Sequence, residues 1–107
     1  MPGPLEGLKV IEMAGLGPCP LAGQLLADMG ADVVVADRPG TKGDPADINR
    51  RSKRSIAPDL KQPASVEALL KIIETADILI EGFRPGVMER LGLGPKDCHD
   101  RNPRLIY

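Results

Sequence analysis

Short apolar runs that alternate with helix-length segments leave a chain few ways to fold. Here the runs are residues 8–13 (LKVIEM), 33–36 (VVVA) and 78–80 (ILI), each flanked by polar, Gly or Pro residues. Runs this short fit buried strands. Between the first two, Pro20 suits the first turn of a helix. Ala22, Leu25, Leu26 and Met29 then recur at helical spacing and predict its apolar stripe, with Gly30 as the stop. Pro63 opens a second helix, whose buried face is predicted at Val66, Leu69, Leu70 and Ile73. A weak strand over 55–60 carries Pro58, which argues for an edge position. The segment between, 39–52, reads as a polar surface loop with at most a helical turn. After the last run, 87–91 predicts one or two helical turns, 95–102 a short helix and 105–107 a fifth strand. Strand, helix, strand, strand, helix, strand is the order of an α/β parallel sheet with crossover helices.

The chain has 107 residues, enough for a single domain with a modest core. The apolar run at its end has no covering element after it, so 1–107 is expected to be the front piece of a larger domain. Net charge is −1 and only Phe83 and Tyr107 are aromatic, which speaks against nucleic acid as a partner. No run nears the ~20 apolar residues of a membrane helix, so no membrane partner is expected. Cys19 and Cys98 form neither a metal pattern nor a disulfide framework, which fits a reducing, cytoplasmic compartment. No redox or metal cofactor is expected.

Chemistry-bearing residues gather at predicted strand ends, the ligand-binding edge of open parallel sheets. Gly15 and Gly17 begin like a dinucleotide fingerprint, with Asp37 placed as a ribose-binding acid. Pro20 replaces the third glycine, so a plain strand-to-helix turn is the better reading. Arg38, Lys61, Arg84 and Arg90 supply cations at or just past strand ends. Arg50, Arg51, Lys53 and Arg54 form a basic cluster. A solvated loop explains such a cluster, and so does a ligand carrying several phosphates. Taken as a set at one sheet edge, the cations favour the phosphate ligand over surface ion pairing. His99, amid acids, reads as a lone surface histidine, and Cys19 as a structural small residue. The chain shows no convincing nucleophile–base pair.

Four stretches resemble the family III CoA-transferase group, which includes the α-methylacyl-CoA racemases. They are PLEGLKVIEMAG, LADMGADVVVADRPG, NRRSKRSIAPDLK and ADILIEGFRPGVMERLGLGP, in the family's order and over nearly the whole chain. They match only the N-terminal portion of that family. The resemblance implies a Rossmann-like domain, here partial, that binds the nucleotide end of coenzyme A, and an interlocked homodimer. It implies an acyl-CoA thioester as substrate. It places Leu16, Arg38, Asp59, Leu60, Lys61, Gly82, Phe83, Arg84 and Arg90 around CoA. Asp37-Arg38-Pro39 and Glu81-Gly82-Phe83 look more like racemases than transferases. The racemase activity implied is proton removal and return at the carbon next to the thioester. The alternatives are a family III CoA-transferase, a non-catalytic CoA- or nucleotide-binding fragment, and a nicotinamide-binding module. The family's catalytic residues fall beyond this chain, so no catalytic residue is expected within it and the chain alone is expected to be inactive.

Overall fold

A computed structural model describes residues 3–15, 17–40 and 46–107. Its elements in order are β1 (Lys9–Met13), α1 (Pro18–Asp28), β2 (Asp32–Ala36), a 3-10 turn (Ile48–Arg50), β3 (Lys53–Ile56), α2 (Pro63–Ile73), β4 (Ile78–Ile80), α3 (Val87–Arg90) and α4 (Pro95–Arg101). The four strands form one sheet in the order β3-β2-β1-β4, with every pairing parallel. This is how the first half of a doubly wound fold is ordered. Pro58 lies just past β3, which is an edge strand, as its sequence requires.

Side chains alternate across the sheet and build two cores. Ile11, Met13, Ala36 and Leu79 point to one face, where Leu69, Ile73, Met88, Leu93 and Cys98 meet them from α2, α3, α4 and the loop before α4. Val10 and Val33 point to the other face, against Ala27 of α1 and the nearby Ala31. The helices therefore cover both faces, α1 on one and α2 to α4 on the other. Asn102 ties the second layer together: its side-chain amide donates to the carbonyls of Ile73 at 3.0 Å and Ala76 at 2.7 Å, satisfying the end of α2.

Three expectations need correction. The predicted stripe of α1 holds only in part: Leu26 packs against the second core, but Leu25 is 54% exposed and Met29 40%, whereas Cys19, Gly23, Gln24 and Ala27 are buried. The fifth strand shrinks to a single parallel bridge, Ile78 to Ile106. His99 is half-buried rather than a free surface group, with Nε2 2.9 Å from the Leu105 carbonyl and its ring tilted against Tyr107. By contrast, α2 buries Leu69 and Ile73 fully and Val66 and Leu70 partly, along the expected face. Gly30 closes α1 at φ 102°, a conformation that favours glycine.

Candidate functional site

Parallel register brings the strand ends level. Met13 stands beside Ala36, Ala36 beside Ile56, and Glu12 beside Ile80. Two hollows open along this carboxyl edge, one on each side of the sheet. The first, about 590 Å³, lies on the α1 side, with Glu12, Val35 and Lys53 among its walls and Gly82 and Arg84 at its rim. The second, about 550 Å³, lies on the α2 side and is lined by Met13, Ala36, Pro58, Asp59, Leu60, Lys61, Val87 and Leu91. Ala14, Asp37, Arg38 and Phe83 border both. The hollows are thus neighbours, divided by the residues that leave β1, β2 and β4.

Local chemistry sets each rim residue. Asp59 Oδ1 accepts from the Lys61 amide at 3.1 Å and the Asp59 carbonyl from Gln62 N at 2.9 Å, a turn that delivers Leu60 and Lys61 to the second hollow. Glu81 Oε2 accepts from the Phe83 amide at 2.9 Å, fixing the chain as it leaves β4. Gly82 passes so close to Cys19 that a Cβ there would lie 2.9 Å from Sγ.

The structure brings Arg38, Asp59, Leu60, Lys61, Gly82, Phe83 and Arg84 to these two hollows. Arg90 is exposed on α3 and borders neither. Leu16 lies outside the described residues. Among the described residues, the side chains of Arg38, Lys61 and Arg84 meet no carboxylate in an ion pair.

The basic cluster behaves differently, which corrects its reading as a phosphate grip. Arg50 pairs with Asp37 at 2.6 Å, Arg51 with Asp28 at 2.8 Å, Lys53 with Glu12 at 2.6 Å and Arg54 with Asp32 at 2.6 Å. Each cation is consumed by an acid of α1, β1 or β2, or by the residue just after β2. The Lys53–Glu12 pair is nearly dry, with side chains 2% and 3% exposed, and Lys53 Nζ also donates to the Pro20 carbonyl at 2.9 Å. Burial pushes the Glu12 carboxyl up, and the Lys53 ammonium pulls it partly back. Sequence reasoning missed this pair. Its signal was a glutamate set between Ile11 and Met13 in a buried strand, which demands a partner.

The start of α1 is a poor anion cradle. Pro18 and Pro20 lack an N–H, so two of the first three residues of the helix have none to offer. Cys19 is buried, and burial with the nearby Glu12 and Glu81 charges pushes its thiol up, away from nucleophilic character. Cys98 is fully buried and pushed to about 11. Among the described residues no group of His, Cys, Asp and Glu could hold a metal ion, and no helix is long and apolar enough to cross a membrane. What the arrangement can do is bind: it offers unpaired cations and an aromatic ring around adjoining hollows.

Comparison with known proteins agrees with the order of elements. The family model described as CoA-transferase family III matches residues 5–107. The chain is 48% identical to the human (Homo sapiens) alpha-methylacyl-CoA racemase over 103 residues, covering 96% of this chain and 27% of that protein. It is 40% identical to the probable fatty acyl-CoA transferase Rv3272 of Mycobacterium tuberculosis over 119 aligned positions, covering 97% and 30%. A crystal structure of Rv3272 from that organism superposes with a TM-score of 0.91 at 40% identity, over 98% of this chain and 31% of the other. The chain therefore spans under a third of the length of the relatives it matches. With the match running over nearly all of its length, the chain belongs to CoA-transferase family III.

Proposed function

We propose that this chain is the N-terminal CoA-binding segment, a single unit over 1–107, of an α-methylacyl-CoA racemase-like enzyme. One observation carries the reading: Arg38, Lys61 and Arg84 stand unpaired among the described residues, at two hollows that share Arg38 and Phe83. A nucleotide with several phosphates needs such cations, and the more apolar second hollow suits a base. Asp59, Leu60 and Gly82 shape the walls, while Leu16 and Arg90 are assigned to the ligand by family likeness. The substrate is an acyl-CoA thioester, and no metal or redox cofactor is required. In the complete enzyme an acid–base pair removes the proton next to the thioester and returns it on the opposite face. The thioester acidifies that proton, and oriented donors stabilise the enolate. This segment contributes grip rather than proton transfer. Its buried thiols are pushed up, and His99 is engaged with Leu105. The working form is a homodimer in the cytoplasm.

The transferase relatives support a second reading, a family III CoA-transferase moving CoA between carboxylic acids. The higher identity to the racemase favours the first. Turnover of a racemisable acyl-CoA by the full-length protein, with no transfer to free acids, is the expected outcome; transfer without inversion would reverse the order.

The binding claim is tested on the chain itself. CoA is expected to raise its melting temperature and NAD to leave it unchanged. Arg84→Ala should weaken CoA roughly ten- to hundred-fold, the usual loss of a charge-assisted contact. Stabilisation by NAD alone, or a CoA effect indifferent to Arg84, would overturn it.

A further inference from the structure

Two of the four pairs formed by the basic cluster line the first hollow, and one of them, Arg50 with Asp37, sits at its strand-end rim. Asp37 directly follows β2, where a doubly wound sheet places the acid that accepts the hydroxyls of a free ribose. Here both of its oxygens are taken: Arg50 Nη2 donates to Oδ1 at 2.6 Å and Nη1 to Oδ2 at 3.0 Å. Asp37 is buried, while Arg50 remains one-third exposed and faces the first hollow. The approach of Arg50 is fixed by its turn, which Asp47 caps by accepting from Asn49 N at 2.9 Å.

The consequence is electrostatic. A buried carboxylate already holding a forked guanidinium has its charge neutralised and about two of its four lone-pair sites filled, which makes it a weaker acceptor for a diol. The pair is formally neutral, so Arg38, the next residue, keeps its charge for a ligand. Without Arg50, a bare carboxylate would stand beside Arg38, repelling phosphate and inviting hydroxyls.

We propose that Arg50 is a specificity-determining residue: by occupying Asp37 it turns the end of β2 from a diol acceptor into a rim that tolerates phosphate. The site then prefers a nucleotide whose ribose carries a phosphate, as CoA does, over the same nucleotide with a free ribose diol. This rests on the CoA-binding reading and narrows it to one part of the ligand.

Titration of the chain with CoA and with dephospho-CoA tests it. Wild type should prefer CoA. Arg50→Ala should cut that preference about tenfold, the size of one charge-assisted contact. Adding Asp37→Asn to Arg50→Ala should restore most of it, because the amide carries no charge. Arg50→Gln serves the same comparison should the alanine variant not fold. An unchanged ratio, or an equal loss for both ligands, would make Arg50 merely structural and overturn the inference alone. A wild type that binds neither ligand would remove the CoA reading and this inference with it.

Discussion

Lys53 holds three things at once: the Glu12 carboxylate at 2.6 Å, the Pro20 carbonyl at 2.9 Å, and a place in the wall of the first hollow. Two charges this dry are tolerated because each has the other. Lys53→Met would strand the glutamate and free the first turn of α1. Its expected cost is about 3–5 kcal/mol, read by urea unfolding near neutral pH. The pH dependence has a definite sign. Burial raises the folded-state pKa of Glu12 above the ordinary 4.5, and losing Lys53 raises it further. A group raised in this way contributes stability that is full below the unfolded pKa and lost as pH rises through the folded one. The deficit of Lys53→Met should therefore shrink as pH falls toward 4.5. A deficit independent of pH would mean that Glu12 is not the stranded charge.

At the scale of elements, α1 is the instructive case. Its sequence offers Ala22, Leu25, Leu26 and Met29 as an inner face, yet Leu25 and Met29 look outward, Leu26 reaches the core only in part, and Gly23 and Gln24 look in. The reason is the charged pair beneath. A methyl at Gly23 would overlap the Glu12 carboxylate and come within 3.1 Å of Lys53 Nζ. Only a small residue lets the helix lie over that pair, so the face with the least apolar bulk faces the sheet. Periodicity cannot reveal this, because the apolar moment says nothing about a carboxylate on the neighbouring strand. Gly23→Ala should destabilise by about 2 kcal/mol or more despite the better helix propensity of alanine. Leu25→Ala should stay within about 0.5 kcal/mol. Thermal unfolding of the two variants checks the contrast; the reverse ranking would restore the predicted stripe. The second helix was legible because its neighbours are largely aliphatic: Val66, Leu69, Leu70 and Ile73 join Leu79 and Leu93 in one core, and among the described residues no charged pair of the kind beneath α1 lies against that face.

Across the whole molecule, the order of elements and the parallel sheet were readable from the sequence, since three apolar runs and their crossovers admit little else. So was the placing of Arg38, Lys61 and Arg84 at strand ends. The fate of the other cations was not, because partners distant in sequence decide it: Arg54 meets Asp32 and Arg101 meets Glu67 and Glu74. These exposed pairs stitch element to element, and two carboxylates held by such arginines, Glu67 and Asp28, titrate oppositely to Glu12. The Arg101 guanidinium holds Glu67 below its usual range, and Arg51 does the same for Asp28. A lowered carboxylate contributes stability above its unfolded pKa and loses it as pH falls through the folded one. Acidification below about pH 4 should therefore loosen α2 from α4 and α1 from the loop that carries Arg51. Arg101→Gln should flatten the acid limb of a melting-temperature profile, and high salt should do so in part. A profile identical to wild type would show that the α2–α4 pairing carries no acid sensitivity.

The two prolines that open α1 carry a consequence for recognition. Many nucleotide folds clasp a diphosphate with rigid main-chain amides, which discriminate by shape and respond weakly to ionic strength. With those amides removed at Pro18 and Pro20, the CoA-binding proposal leaves capture to long, swinging guanidinium and ammonium arms. Such a grasp reaches out quickly and adapts to its guest, but counterions compete with it at every encounter.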